Sequence, residues 1–267
     1  MRKNGLKKII KEGGVAANGW LSIPSSFSAE IVANCGFDAV TVDLQHGMID
    51  FSQALTMFQA ISTTNATPLG RPTSSSAVEI MRLLDAGAYG VICPQVDTAE
   101  IARTVVSACR YPPVGTRSFG PPRGVLYGGA DYYPNANDEI LAIVMIESRQ
   151  AVENLDEILD VEGIDGIYIG PNDLSLSFGG GPGCFPEGEI GETIELIRKR
   201  AADRGIFSGI YCADVDMCIK RIDQGFQLVN VGNDAAALKV SYLTQIDRIK
   251  TKTMSAGANT ETSNCGY

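Results

Sequence analysis

The sequence predicts a single α/β domain folded as a (β/α)8 TIM barrel. Its 267 residues suit one large α/β core, because such barrels reach about 250 residues around a single interior. Short β-rich runs recur eight times with amphipathic stretches between them, the alternation that builds a parallel sheet. These runs are apolar along their length and end in polar groups, as expected where functional residues gather at one mouth.

Taken in order, the strands read Gly19 to Ile23, Ala39 to Asp43, Pro68 to Arg71, Gly90 to Cys93, Ala142 to Glu147, Gly166 to Gly170, Phe207 to Tyr211 and Leu228 to Gly232. Each is short, all but Pro68 to Arg71 carry β-branched or aromatic residues, and most lie beside Gly, Pro, Asn or Asp. Helices are expected over Ser28 to Cys35, Phe51 to Thr63, Ser75 to Ala86, Thr98 to Cys109, Ala151 to Asp160, Glu189 to Asp203, Val215 to Gln224 and Ala235 to Ile249. Their apolar residues fall at three- and four-residue spacing. A doubly wound open sheet is disfavoured: no early Gly-x-Gly-x-x-Gly turn is present, and Gly179-Gly180-Gly181-Pro182-Gly183 does not match a phosphate loop.

Two connections are long. Pro112 to Asp138 carries Arg117, Arg123, Tyr127, Tyr132 and Tyr133, and its length fits either a lid over the mouth or a surface packed on a neighbouring subunit. Ser177 to Gly188 follows Asp173 and is expected to shape the mouth. The domain is placed at residues 1–252, and residues 253–267, rich in Ser, Thr, Asn and Gly without periodicity, read as a disordered tail.

A net charge of −9, from 22 Lys+Arg against 31 Asp+Glu, offers no broad basic field for nucleic acid and favours a small-molecule substrate. Seven cysteines without a Cys-x-x-Cys pair, beside one histidine, read as reduced thiols of a cytoplasmic protein. The basic N-terminus develops no apolar signal core, and no run approaches the ~18 apolar residues of a membrane span.

The single histidine, His46, follows the second strand in Val42-Asp43-Leu44-Gln45-His46-Gly47. By position it serves either as a structural hydrogen-bonding group or as a proton-transfer group near neutral pH. The strand ends carry Trp20, Asp43, Arg71, Gln95, Glu147, Asn172 with Asp173, Cys212 and Asn230. Between Lys11 and Lys199 no lysine occurs, so the first six strands offer no Schiff-base nucleophile, and enolate chemistry would rest on a metal.

Glu147 and Asp173 end consecutive strands, which lie ~4.8 Å apart in a sheet, and so are candidate ligands. Carboxylates without thiolate or imidazole favour Mg²⁺ or Mn²⁺, with Co²⁺ and Zn²⁺ as further options. Their alternative is structural, Glu147 pairing with Arg149 or Arg71 and Asp173 capping a helix. Arg71 offers a planar guanidinium to an oxyanion. Asp43 could orient the His46 imidazole, with Asp85 a more distant option, and the backbone N–H groups of Asn172 and Asp173 offer a carboxylate site.

The motifs Asp43-Leu44-Gln45-His46-Gly47, Gly70-Arg71-Pro72, Ile146-Glu147 and Leu159-Asp160-Val161-Glu162-Gly163-Ile164-Asp165-Gly166-Ile167-Tyr168-Ile169-Gly170-Pro171-Asn172-Asp173-Leu174-Ser175 occur in order. Over about residues 15–250 the chain resembles the HpcH/HpaI aldolase/citrate lyase family, metal-dependent class II pyruvate aldolases on a phosphoenolpyruvate/pyruvate-type barrel. The resemblance implies metal ligands at Glu147 and Asp173, a catalytic base at His46 acting through a bound water, an enolate-stabilising Arg71 and a supporting Asp43. Trp20, Gln95 and Asn172 would join Arg71 and Asp173 around the substrate. The implied reaction is reversible cleavage of a 4-hydroxy-2-oxo acid to pyruvate, or a related 2-oxo acid, and an aldehyde.

The resemblance also implies a homo-oligomer, built on dimers that exchange the last helix and in some members forming hexamers. Met145, Gln45 and Asn172 depart from the residues common there, Gln, Glu and Ala respectively. Alternative readings are a 2-oxo-acid decarboxylase, such as one acting on oxaloacetate, and a non-catalytic 2-oxo-acid-binding barrel.

Overall fold

A computed structural model of the chain describes residues 1–183 and 187–258, with side chains described through residue 252. The elements are α1 (Gly5–Lys11), β1 (Ala16–Leu21), α2 (Ser26–Ala33), β2 (Ala39–Asp43), α3 (Phe51–Ile61), β3 (Thr67–Arg71), α4 (Ala77–Asp85), β4 (Gly90–Cys93), α5 (Ala99–Cys109), α6 (Pro122–Gly128), α7 (Tyr132–Glu139), β5 (Leu141–Ile146), α8 (Arg149–Glu153), α9 (Leu155–Leu159), β6 (Gly166–Ile169), α10 (Pro171–Ser177), α11 (Gly188–Ala202), β7 (Phe207–Cys212), α12 (Val215–Asp223), β8 (Leu228–Val231) and α13 (Asp234–Ala258). The eight strands close in sequence order into a barrel, and every pairing is parallel, including β1 with β8.

Side chains two apart on a strand share a face, and the apolar residues divide accordingly. Val40, Val42, Val91, Val144, Ile167 and Ile169 pack beneath the helices. Ala39, Leu69, Ile92, Ile143, Met145 and Tyr168 form a second cluster that fills the barrel. Continuing the inner set two residues at a time carries β2 to Asp43, β3 to Arg71 and β5 to Glu147. Register therefore delivers the charged groups to one mouth, and a one-residue slip would turn each of them towards the helices. At the opposite end α1 closes the barrel with Leu6, whose N–H donates to Thr67 Oγ1 at 3.0 Å.

Local signals account for the helix starts. Asp50 and Gln53 form a reciprocal capping box on α3, and the side chains of Thr98, Ser148 and Asp214 cap α5, α8 and α12. The helix expected over Ala151 to Asp160 is two short ones, because Asn154 ends α8 in a non-helical conformation and its Nδ2 donates to Asp97 O at 2.8 Å.

The segment Pro112 to Asp138 is not a lid. It forms α6 and α7 against the outer and N-terminal side of the barrel, where Arg117 pairs with Asp85 at 2.8 Å, Arg123 donates to Ala86 O at 2.6 Å and Gly128 O accepts from Arg2 N at 2.6 Å. These partners lie at the end of α4 and at the chain's start, away from the strand C-termini. Asp85 is thus committed to Arg117, whose side chain is fully buried, and has no part in orienting His46.

After α10 the backbone folds back, with Ser175 Oγ donating to Gly181 O at 2.8 Å and Gly183 N to Asn172 Oδ1 at 3.1 Å; residues 184–186 of the expected mouth loop lie outside the described residues. α13 continues to Ala258, beyond the expected start of a tail at residue 253, and residues 259–267 lie outside the described residues. Among the described residues no helix is long and apolar enough to cross a membrane.

Candidate active site

At the C-terminal mouth of the barrel a cavity of about 260 Å³ is lined by Trp20, Asp43, His46, Arg71, Glu147, Asn172 and Asp173. Seven of the eight site residues expected from sequence thus meet in one place. No lysine lines it. Ser22, Met145, Tyr168, Tyr211 and Asn233 also line it, and sequence reading had not singled out Tyr168 or Tyr211. The signal for both was the inner parity of β6 and β7, in which Tyr168 lies two residues before Gly170, and Tyr211 two after Gly209 and four after Phe207.

Asp43 is buried and saturated. It accepts from Arg71 Nε at 2.7 Å and Arg71 Nη2 at 2.5 Å, from Trp20 Nε1 at 3.1 Å, and from the backbone N–H groups of Gln45 and His46 at 3.0 and 3.2 Å. This corrects the expected role: Asp43 fixes Arg71 and the backbone ahead of His46, and its contact with His46 is to the amide, not the imidazole. Burial works to raise the Asp43 pKa, but the hydrogen bonds and charge of Arg71, then Trp20 and the His46 N–H, outweigh it and hold the pKa below the ordinary value.

The Arg71 guanidinium lies 4.8 Å from the Trp20 ring centroid, so it is held by an edge-on fork and an aromatic face together. Nη1 has no partner among the described hydrogen bonds. Trp20 leans on Tyr168 with centroids 5.5 Å apart, and the Tyr168 hydroxyl donates to Asn230. Asn230 therefore sits beneath the cavity, outside its lining. Cys212 belongs to the layer under the helices, within hydrogen-bonding reach of the Cys218 thiol, because its parity on β7 is the outward one.

Glu147 is 5% exposed. Its Oε1 accepts from Gln95 N at 2.8 Å, and no ion pair engages it among the described residues. Arg149 instead stacks over Phe178 at 4.0 Å, and Arg71 is occupied by Asp43. Asp173, in the first turn of α10, is exposed, and its carboxylate has no hydrogen-bond or ion-pair partner among the described residues. Gln95 departs from expectation: its side chain is exposed and does not line the cavity, so its contribution is a backbone N–H.

Burial pushes the Glu147 carboxyl up to about 7, and the negative charge of Asp173 adds to the rise against the Gln95 hydrogen bond and the Arg71 charge. A divalent cation would relieve both effects. No third His, Cys, Asp or Glu joins the pair among the described residues. Two carboxylate donors with the remaining positions left to water and substrate oxygens fit Mg²⁺ or Mn²⁺.

The chain is similar to known aldolases. The chain is 41% identical over 239 residues to a hydroxypyruvate/pyruvate aldolase of Rhizorhabdus wittichii, covering 89% of this chain and 95% of that one. It is 38% identical over 248 residues to a 2-keto-3-deoxy-L-rhamnonate aldolase of Klebsiella pneumoniae, covering 92% and 91%. A crystal structure of an HpcH/HpaI aldolase/citrate lyase family protein from Burkholderia cenocepacia superposes with a TM-score of 0.87 at 25% identity, over 93% of this chain and all of that one. The profile of that family matches residues 19–239, a span that contains every residue lining the cavity, and the chain belongs to the HpcH/HpaI aldolase/citrate lyase family.

Proposed function

We propose that this chain is a class II pyruvate aldolase that reversibly cleaves a 4-hydroxy-2-oxo acid to pyruvate, or a related 2-oxo acid, and an aldehyde. One observation carries the reading: Glu147 and Asp173 share a cavity with His46 and a fixed Arg71, and no lysine lines it. Glu147 and Asp173 would hold a divalent cation, Mg²⁺ or Mn²⁺, with Co²⁺ or Zn²⁺ as alternatives. When bound, the cation would act as a Lewis acid that polarises the 2-oxo acid.

Arg71 Nη1 faces the negative charge that develops on the substrate oxygen, at no cost in reorganisation because Asp43 and Trp20 have already fixed the guanidinium. His46, through a water, takes the proton of the 4-hydroxyl in cleavage and returns it in condensation. Asn172, beside Asp173, contributes to the rim where substrate enters. Met145 in the lining makes the floor next to Glu147 apolar.

Supplying the cation-loaded protein with pyruvate or hydroxypyruvate and a series of aldehydes tests the reading; carbon–carbon bond formation is expected. Release of CO₂ from oxaloacetate without any aldol product would favour a decarboxylase, and neither reaction would favour a binding barrel. Chelation should lower turnover by at least about two orders of magnitude, restored by Mg²⁺ or Mn²⁺, since Lewis-acid stabilisation amounts to several kcal/mol.

A homodimer that exchanges α13 completes the proposed molecule, with a hexamer built of three such dimers as an extension. Residues 235–252 of this helix are exposed throughout, and Leu238, Tyr242, Ile246 and Ile249 form an apolar stripe along it. The flanking helices α2 and α12 leave Phe27, Ile31, Val215 and Ile219 exposed where an eighth barrel helix would sit. A second copy's α13 covers both surfaces at once. Ile246→Glu should convert the oligomer to monomer in sedimentation velocity; an unchanged sedimentation coefficient would rule the exchange out. Among the described residues the free thiols, Cys35, Cys93, Cys109, Cys212 and Cys218, suit a reducing cytoplasm.

A further inference from the structure

Among the described residues Gln95 is the one non-glycine with positive φ, at 54°. Left-handed backbone is unfavourable for a side-chain-bearing residue and recurs where function requires it. The exposed Gln95 side chain offers no compensation. Its N–H does, meeting Glu147 Oε1 at 2.8 Å from the loop that follows the neighbouring strand β4. On the other flank, Gly170 closes β6 at φ −95°, a conformation open to any residue, so the glycine is not needed for backbone freedom. It is needed for space: a Cβ there would stand 2.4 Å from Glu147 Oε2 and 3.2 Å from Glu147 Cβ.

We infer that Gln95 and Gly170 are positioning residues: the backbone segments that follow β4 and β6 grip the Glu147 carboxylate from both sides and set its orientation for the cation. The inference rests on the proposed role of Glu147 as a ligand. It assigns the requirement at position 95 to backbone conformation rather than side-chain chemistry, and at position 170 to the absence of a Cβ. A buried carboxylate with one hydrogen-bonded oxygen would otherwise be free to rotate about its terminal torsion, and outer partners that prevent such motion are commonly as important as the ligand's identity.

The test is Mn²⁺ affinity, read as free Mn²⁺ by electron paramagnetic resonance on the full-length protein, with circular dichroism confirming the fold. Gly170→Ala should weaken binding about 10- to 100-fold. Gln95→Val, whose branched side chain disfavours positive φ, should weaken it similarly, while Gln95→Gly, which keeps the N–H and tolerates that φ, retains it with a raised Tm. Wild-type affinity in Gly170→Ala and Gln95→Val would overturn the inference. Equal losses in Gln95→Gly and Gln95→Val would overturn it too, by assigning the role to the side chain. Glu147→Gln separates the two levels: if it binds Mn²⁺ like wild type, the ligand assignment fails and this inference with it. If it loses Mn²⁺ while the positional variants keep it, only this inference fails.

Discussion

His46→Ala should lower kcat by about 10²- to 10⁴-fold, the range associated with general acid–base catalysis, while leaving Mn²⁺ affinity within about twofold. The asymmetry follows from the site. His46 shares the cavity with the two carboxylates, but the proposed donor set does not include it, and its one described tie to Asp43 is through its backbone amide, which alanine retains. Pyruvate release under saturating Mn²⁺ measures the first quantity, and a Mn²⁺ titration the second. Wild-type turnover in this variant would return His46 to a structural role; parallel loss of metal would make it a ligand.

Asp43→Ala should be as damaging for a different reason. It leaves Arg71, 9% exposed, buried with an uncompensated charge, at a cost of about 3 to 5 kcal/mol in stability, or roughly 6 to 20 °C in Tm for a domain of this size. It also releases the fork that fixes the guanidinium, so surviving folded protein should lose kcat by about 10²-fold or more. Thermal melts and steady-state kinetics on the same preparation separate the two effects. If Asp43→Ala melts like wild type, the buried pair is not stabilising as described. A double variant, Asp43→Leu with Arg71→Met, should recover much of the Tm and none of the activity, since an apolar replacement removes the stranded charge but not the chemical deficit.

The same pair sets an acid limit. Because the folded pKa of Asp43 is depressed, its stabilising contribution is fully present above the ordinary aspartate range. It is lost as pH falls through the lower folded value. Acid unfolding of the wild type should therefore include a component below the ordinary aspartate range that Asp43→Ala lacks.

Much of the site was legible because barrel architecture places function at strand ends and because runs such as Ala39 to Asp43 are short and distinctly bounded. Asp43, Arg71 and Glu147 could be located from where apolar residues stop. Tyr168 and Tyr211 were missed although the same period of two points them inward; reading strands by their ends overlooks the layer below, where Tyr168 lies, and at the end of β7 it chose the outward Cys212 over Tyr211. Of the two alternatives for Pro112 to Asp138 the lid does not hold, because length and glycine content describe a loop's freedom but not its address. Here Arg117 and Arg123 hold it to the end of α4.

The sequence by itself determined the alternation of strands and helices, the lack of lysine between Lys11 and Lys199 and the set of charged residues at the strand ends. These depend on periodicity, turn chemistry and composition, all local properties. Which groups pair was decided only by the closed barrel: Asp43 with Arg71 across β2 and β3, Gln95 with Glu147 through backbone, Asp85 with Arg117 on the far side. Partners lie 28, 52 and 32 residues apart, and their meeting depends on strand register and on the course of the loops, which no single segment encodes.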